Sequence, residues 1–353
     1  MSGELVPVWK DENSAAYVLN AANLSAMCPH ILHLGTPYLN VSSKSNLRLS
    51  GNTAFKIVVG GVHKMFTIKN DLEFNPAEFL DTGSVLDAGT DYKVFVVSNA
   101  SDSADLVVSK NTAYPSGASL ETSKCIGGFH TLCVDVGTLQ TSTHALYGFL
   151  ARDILPNSVW DMLRKPATCA PDGMVLDPNL KVWVDIYLQS GTGENTKSVY
   201  QGRVTHSQTW DAHQEDLAKV GKRMLRDVEF TSAAWGTIPY KAVLGSVDPV
   251  TTGGKTNTDG NRIISDIGCE DMCGCYWQCI GHTSFTAYAT TGMAYADADG
   301  QGQQYLPSNA MLAGGRWSIA AYSGARARYA SNSRADVGAA RSSRGAAENI
   351  SVI

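Results

Sequence analysis

The sequence of 353 residues lacks any segment typical of a membrane span or an export signal. Its first nine residues contain neither the basic region nor the apolar core of a signal peptide, and no later stretch has the length of a transmembrane helix. We therefore expect a soluble protein that is not exported by the general secretory route. Cysteines in such a protein are expected to be reduced when it is made.

Positive charge and helical periodicity are also scarce. The formal net charge is -5 at pH 7, with 17% charged and 44% hydrophobic residues. A chain without a surplus of Lys and Arg lacks the general basic surface that nucleic-acid binding requires. Few segments place apolar residues at helical spacing, whereas alternating patterns and Ser, Thr, Asn and Gly-rich connections are common. These features predict a globular, β-rich α+β fold.

Alternating apolar residues predict several strands in the first third of the chain. Gly60 and Gly61 separate two alternating runs, which predicts a β-hairpin. A polar, turn-rich stretch at residues 114–119 then favours a domain boundary. We predict an N-terminal β module for oligomerisation or attachment at residues 1–120, with subdomains 1–50 and 51–120, and a second domain at 121–353. The predicted strands of the module are residues 54–59, 62–68, 92–97 and 105–109.

The second domain should combine strands with two helices. Residues 126–136 and 181–188 carry strand-like apolar patterns. The apolar spacing lengthens over residues 210–220 and 223–235, which predicts two helices. Gly236 stands where the second helix is expected to be capped.

The segment at residues 312–347 contains no Lys, Gln or Glu, although all three are common upstream. Changing the two adenines of an Asn codon yields codons for Arg, Ser, Ile, Ala, Tyr, Asp, Gly or Asn, but never for those three residues. The composition therefore predicts a cassette diversified at adenines. Trp317, which needs a buried seat, indicates a folded segment, and the alternation at 350–353 predicts a terminal strand. An Arg-rich tail that binds nucleic acid, or a solvated loop, is the alternative interpretation.

Several residues of this segment carry a family resemblance. They occur in order and without a gap: Gly314, Gly315, Trp317, Gly324, Arg326, Ala327, Arg344 and Gly345. The pattern resembles the variable region of the retroelement-diversified proteins that include the phage major tropism determinant. In that family the region is the ligand-binding face of a C-type-lectin-like domain. The resemblance therefore implies such a domain here, with a variable region at about residues 314–345.

The resemblance also divides the segment into two kinds of position. Positions that match the variable sites, and would contact ligand, are Arg316, Ser318, Ile319, Tyr322, Tyr329, Ser331, Asn332, Asp336, Gly338 and Ala340. Positions expected to hold the backbone are Gly314, Gly315, Trp317, Gly324, Arg326, Arg328, Arg344 and Gly345. The chain departs from the family at residues 341–343, where Arg-Ser-Ser replaces the usual Ile-Gly-Ala, and this leaves the end of the variable set open.

A second resemblance lies upstream. Residues 221–234 read GKRMLRDVEFTSAA and are similar, without a gap, to a helix of lectin folds of the formylglycine-generating-enzyme type. Two separate matches in the expected order tie residues from about 121 onwards to one lectin-like domain.

Two segments are candidate metal-binding sites. Cys269, Cys273, Cys275 and Cys279 are numerous enough to bind a structural zinc ion, but all four lie in one short segment rather than in two separated pairs. Buried thiols are the preferred interpretation, with zinc or a disulfide as alternatives. Residues 297–300 begin like a calcium loop but lack its remaining ligands. We expect no cofactor.

No set of residues predicts catalysis. The Asp-Thr-Gly at residues 81–83 resembles an aspartic-protease motif, yet that chemistry needs two such carboxylates, and a β-turn is preferred. The histidines form no recognisable triad pattern with Ser or Cys. An enzyme of the formylglycine-generating type is kept as an alternative without an assigned catalytic residue.

The resemblance implies a phage receptor-binding protein at a tail-fibre tip, which binds a bacterial surface protein or glycan non-covalently and sets host tropism. It also implies a homotrimer that contacts phage tail proteins, located in the virion and synthesised in the host cytoplasm. A bacterially encoded, retroelement-diversified binding protein is the alternative. Neither membrane insertion nor nucleic acid as the main ligand is expected.

Overall fold

The computed structural model describes residues 8–10, 16–18, 31–32, 36–59, 62–99, 103–284, 295–296, 304–305 and 309–350. Within these residues no helix is both long enough and apolar enough to cross a membrane. Two compact units are present. The first comprises Met1–Val85, Tyr92–Gly128 and Asp161–Leu163, and the second comprises Leu86–Asp91, Phe129–Trp160 and Arg164–Ile353. Each unit therefore consists of three separate stretches of the sequence. The single domain boundary at residue 120 stays a prediction.

Antiparallel strands dominate the N-terminal part of the chain. The predicted hairpin is confirmed, because Thr53 lies opposite Ile68 and the two strands pair throughout. Alternation gives the first of them, Thr53–Val59, a buried face that includes Phe55 and Ile57. The predicted strands around residues 92–97 and 105–109 are also present and pair antiparallel. The strands of this part are β1 (Val8–Lys10), β2 (Ala16–Val18), β3 (Ile31–Leu32), β4 (Leu39–Val41), β5 (Leu47–Leu49), β6 (Thr53–Val59), β7 (Val62–Ile68), β8 (Leu72–Phe74), β9 (Asp91–Ser98), β10 (Ala104–Ser109), β11 (Ser123–His130) and β12 (Trp160–Asp161).

These twelve strands form small sheets. Their orders are β1-β2, β3-β6-β7, β4-β5-β8 and β10-β9-β11-β12. Strand β11 begins three residues before the predicted strand at 126–136 and ends at His130, so the prediction was right only for the first part of that segment.

The second unit carries the remaining strands and both helices. Two four-stranded sheets have the orders β13-β14-β22-β15 and β20-β19-β16-β21, and β17 pairs with β18. The elements are β13 (Met174–Asp177), β14 (Val182–Asp185), α1 (Trp210–Lys219), β15 (Arg223–Met224), α2 (Asp227–Ala233), β16 (Trp277–Ser284), β17 (Tyr295–Ala296), β18 (Gln304–Tyr305), β19 (Asn309–Gly314), β20 (Gly324–Tyr329), β21 (Arg341–Ser343) and β22 (Gly345–Glu348). The predicted β-rich α+β class is confirmed.

Both predicted helices are present and each has a local reason to start. The Thr209 side chain accepts a hydrogen bond from the backbone N–H of Ala212 at 3.1 Å and so caps α1. Before α2, the Glu229 carboxylate accepts from the backbone N–H of Arg226 at 2.7 Å. The C-terminal cap of α2 is Ala234, and Gly236, with φ of 90°, follows two residues later rather than being the cap.

The last strand lies inside a sheet. Strand β22 lies between β14 and β15, so the C-terminal segment is part of the core of the second unit. The buried Trp183 ring donates to the side-chain oxygen of Asn349 at 2.9 Å just after this strand. Strand β22 ends at Glu348, and most of the strand predicted at 350–353 lies outside the described residues, so it stays a prediction.

Candidate ligand-binding site

The segment predicted to vary forms one face of the second unit. It includes β19, β20 and β21 of one sheet and the two loops that connect them, residues 315–323 and 330–340. None of the ten positions predicted to contact ligand is buried. Five are exposed (Ser318, Tyr322, Tyr329, Ser331 and Asp336) and five are half-buried (Arg316, Ile319, Asn332, Gly338 and Ala340). Exposure lets these side chains meet a partner without opening the core.

Eight of these ten residues line a single cavity of about 810 Å³, which we call the variable-face cavity. They are Arg316, Ile319, Tyr322, Tyr329, Asn332, Asp336, Gly338 and Ala340. Ser318 and Ser331 are not part of its lining. The volume lies within the range of sites that enclose small ligands, so the fold brings positions from both loops into one concave surface.

The turn that starts the first loop requires glycine. Gly314 and Gly315 have φ of 91° and 88°, a backbone region that residues with a side chain rarely adopt. A Cβ atom on Gly314 would lie 2.5 Å from the carbonyl oxygen of Met272, and one on Gly315 would lie 2.7 Å from the Cα of Ser323. Both the conformation and the lack of space therefore exclude other residues.

Trp317 attaches the same loop to the core. Its backbone N–H donates to the carbonyl of Cys275 at 2.9 Å, and its ring packs edge-on against Tyr276, with 4.8 Å between ring centroids. The ring also packs against a buried cluster that contains Leu188 and Val243. These contacts bury part of the Trp317 ring, as expected for a tryptophan in a folded segment.

Arginines tie the second loop and its strand to the two helices. Arg328 forms an ion pair with Asp227, donates to the Thr231 hydroxyl at 2.6 Å and lies 5.1 Å from the centroid of the Phe230 ring. Arg334 forms an ion pair with Asp211 and lies 4.7 Å from the centroid of the Trp210 ring. Arg328 thus attaches this face to α2, and Arg334 attaches it to α1.

Arg344 and Gly345 lie deepest in the segment. The Arg344 guanidinium is fully buried and donates to the Gln278 side chain at 3.0 Å, the Asp185 carbonyl at 2.6 Å and the Glu270 carbonyl at 2.5 Å. The N–H of Gly345 donates to the Asp185 carboxylate at 2.9 Å, and a Cβ on Gly345 would lie 2.5 Å from that carboxylate. Burial raises the pKa of Asp185, while the adjacent Lys222 ammonium, 2.6 Å away, acts in the opposite direction.

Two residues predicted to hold the backbone differ in their surroundings. Gly324 is buried, with φ of 148°. Arg326, two residues later, is exposed and lines a second cavity of about 880 Å³ together with Trp235 and Tyr240. Its side chain is accessible to a partner, which distinguishes it from Arg328 and Arg344.

Seven of the residues that line the variable-face cavity were not among the predicted ligand contacts, and Trp277, Arg341 and Val337 are three of them. Trp277, on β16, stacks on Tyr329 with 5.7 Å between ring centroids and 27° between ring planes. Arg341 and Val337 also line the cavity. The departure from the family pattern at residues 341–343 could have indicated Arg341 from the sequence. Nothing near Trp277 in the sequence indicates that it lies beside the variable segment, which follows about 40 to 60 residues later.

The chain is similar to known proteins over most of its length. The family model of the Mtd second domain matches residues 37–161. Over 301 residues the chain is 26% identical to the tail fiber receptor-binding protein of Bordetella phage BPP-1, which covers 79% of this chain and 75% of the relative. The solved structure of the Major Tropism Determinant M1 variant matches with a TM-score of 0.76 at 20% identity, covering 100% of this chain and 97% of that one. The predicted resemblance to the major tropism determinant is confirmed.

A second solved structure supports the same fold. The Major Tropism Determinant I1 variant matches with a TM-score of 0.75 at 21% identity, covering 100% of this chain and 96% of that one. At this identity the likeness to the major tropism determinants establishes fold, and the predicted C-type-lectin-like architecture is confirmed. The relative from the phage is named as a receptor-binding protein rather than as an enzyme.

The four clustered cysteines do not converge on one point. Cys269 and Cys273 belong to the main hydrophobic cluster of the second unit, whereas Cys275 and Cys279 belong to two other clusters. Burial raises the pKa of Cys269, Cys273 and Cys279 to about 12, so these groups are thiols at neutral pH. In the described part of the chain the four clustered cysteines are free thiols, and no three ligating side chains are close enough to bind a metal ion. Cys28 and the candidate calcium loop at 297–300 lie outside the described residues.

The other motifs have structural partners. The Asp81 carboxylate accepts from the Ser109 hydroxyl and the Ser116 N–H, both at 2.7 Å, and so orders a loop. His130 is buried, with Asp91 at 2.8 Å and the Tyr187 hydroxyl at 3.0 Å from its two ring nitrogens.

Proposed function

We propose that the chain is the receptor-binding protein of a phage tail fibre and that it binds a bacterial surface molecule non-covalently through the variable-face cavity. Its place would be the virion, after synthesis in the host cytoplasm. The observation that carries this proposal is the convergence of eight of the ten predicted variable positions on one cavity. The similarity to the tail fiber receptor-binding protein of Bordetella phage BPP-1 supports it.

Burial separates the residues that hold the backbone from the positions whose side chains can change. Gly314, Gly315 and Trp317 fix the first loop, and Arg328 and Arg344 fix the strands on either side of the second loop. Side chains at the exposed positions can then change without altering this frame. We propose that ligand choice is set by those positions, and that the site binds without catalysis.

We also propose that the N-terminal β module joins three copies and attaches them to other tail proteins. Interfaces made from mostly small side chains bind weakly as single sites, so several copies must bind together to give useful avidity. Hairpin edges such as that of β7 are suited to pairing between chains.

Cell adsorption tests the main proposal. Fluorescently labelled full-length protein is mixed with a panel of bacterial strains, and saturable binding to a subset is expected. Unlabelled protein should compete with it. Uniform binding to all strains that persists after both Tyr322 and Tyr329 are replaced by Ala would contradict the proposed site.

A further inference from the structure

Two arginines of the variable-face cavity lack partners for some of their donors. Arg341 is only 5% exposed, and its Nη1 atom has no hydrogen-bond partner among the described residues. The Nε atom of Arg316 is likewise buried and without a partner in that part of the chain. Both side chains line the cavity. A buried donor without a partner costs about 1–3 kcal/mol, and more when it is charged, so a ligand acceptor that reached either donor would remove this cost.

The backbone places both arginines beside one short segment, residues 275–277. Arg316 pairs with Cys275, and Arg341 pairs with Trp277, both in parallel bridges. Arg316, Arg341 and Trp277 all line the variable-face cavity.

Among the described residues neither of these two arginines is paired with an acidic group. Arg328 is matched by Asp227, but neither Arg316 nor Arg341 forms an ion pair in that part of the chain. Asp336 also lines the cavity, and its carboxylate accepts from the Asn332 amide at 3.1 Å and the Ser333 N–H at 3.0 Å.

Two titratable neighbours of Arg341, His213 and Cys279, are neutral. Burial lowers the pKa of His213 to about 4, and the positive charge of Arg341 acts in the same direction. Burial also keeps Cys279 a thiol, with its pKa raised to about 12 despite the opposing effect of Arg341. Neither group supplies a negative charge at neutral pH.

We propose that the variable-face cavity binds an acidic sugar residue of a bacterial surface glycan, with Arg316 and Arg341 as donors to its anionic group. A concave cavity of about 810 Å³ encloses a compact ligand, whereas a protein partner usually meets a broader surface. Tyr329, which is exposed and backed by the Trp277 ring, would present aromatic surface to the sugar ring, and the Asn332 side chain lines the same cavity. The assignment deepens the proposed receptor-binding function and rests on it.

Titration calorimetry on the full-length protein tests this proposal. The probes are the methyl glycosides of glucuronic, galacturonic and N-acetylneuraminic acids, each beside its uncharged methyl ester. At least one acid is expected to bind about tenfold or more tightly than its ester, because a charge-assisted pair is lost in the ester. Arg341→Gln and Arg316→Gln should each weaken the binding of that acid by about tenfold or more.

Two variants control for charge and folding. Arg326→Gln makes the same chemical change at an exposed arginine outside this cavity, and it should leave the affinity within about twofold. Arg341→Lys keeps the charge and separates loss of the guanidinium from misfolding; it should bind more weakly than the wild type but more tightly than Arg341→Gln.

Several results would overturn the inference. They are equal affinity for every acid and its ester, no binding of any acid, or unchanged binding in folded Arg341→Gln. Binding of inorganic sulfate without any preference for the acidic sugars would also overturn it and would indicate a general anion site. Because cell adsorption is measured separately, saturable adsorption together with failure of the sugar test would leave the proposed function intact.

Discussion

The Arg344 guanidinium donates to the side-chain oxygen of Gln278 at 3.0 Å, and both residues are fully buried. Gln278 in turn donates its amide to the backbone carbonyl of Met272 at 2.9 Å. This pair connects the end of the variable segment to the strand β16, which lies beneath the cavity. A planar guanidinium suits several acceptors that lie in different directions.

Arg344→Lys should therefore lower the free energy of unfolding by about 3 kcal/mol, because carbonyl acceptors lose their donors inside the core. Chemical denaturation measures the change. The matched control is Arg326→Lys, at an exposed position, where the expected change is within about 0.5 kcal/mol. Similar small changes in both variants would show that Arg344 does not support the frame.

Trp317→Ala should destabilise the fold by about 2–3 kcal/mol, since it removes a large ring from a partly buried seat. Trp235→Ala provides the control, because this ring is 64% exposed and its loss should cost little. If thermal unfolding of the Trp317 variant matched that of the wild type, the division between frame and variable positions would be wrong.

Tyr322→Ala and Tyr329→Ala should reduce cell adsorption by about tenfold or more without unfolding the protein. Their side chains are 67% and 42% exposed, and aromatic residues of this kind often dominate binding energy. Tyr240→Ala removes a comparable ring, 69% exposed, that lines only the second cavity. An equal loss of adsorption in the Tyr240 variant would show that the binding site does not lie in the variable-face cavity.

Acid should destabilise the protein through His213. Its pKa is lowered from 6.5 to about 4 in the folded state, so the unfolded state binds the proton first as the pH falls. The contribution to stability is complete above pH 6.5 and is lost progressively between pH 6.5 and 4, by about 3 kcal/mol.

Asp271 acts in the opposite direction, because burial raises its pKa to about 6. The test is therefore a difference between two proteins, the wild type and His213→Asn, whose unfolding free energies are followed from pH 7 to 4. As the pH falls over this interval, the wild type should lose the stability that His213 contributes and the variant should not. The difference between their unfolding free energies should therefore change in favour of the variant. A constant gap would show that His213 does not titrate as described.

The full-length protein should be a trimer in solution. Light scattering should give three times the chain mass of 37.7 kDa at micromolar concentration. The expected cause is pairing through the N-terminal β module. A monodisperse monomer would contradict both the trimer and the avidity on which weak single sites depend.

Local sequence patterns predicted much of the fold. Alternation located the hairpin β6–β7, and apolar spacing located α1 and α2, because each pattern reflects one buried face of one element. Long-range pairing left no such pattern. The parallel pairing of β16 with β21, which brings Trp277 beside Arg341, joins segments more than 60 residues apart.

The candidate site was only partly readable for the same reason. The family pattern grouped Arg326 with Arg328 and Arg344, but an exposed arginine, a helix-bound arginine and a buried arginine look alike in sequence. Their distinct environments depend on which residues lie opposite them: Asp227 for Arg328, and Gln278 for Arg344.

The close approach of Gly338 to Arg341 has a consequence for inheritance. A Cβ on Gly338 would lie 2.3 Å from the Nε of Arg341, so a substitution at one position is acceptable only with a rearrangement at the other. The two codons are then epistatic. In a population of diversified genes, larger residues at position 338 should be depleted wherever Arg341 is retained, and the number of functional variants should fall below the product of the choices at each site.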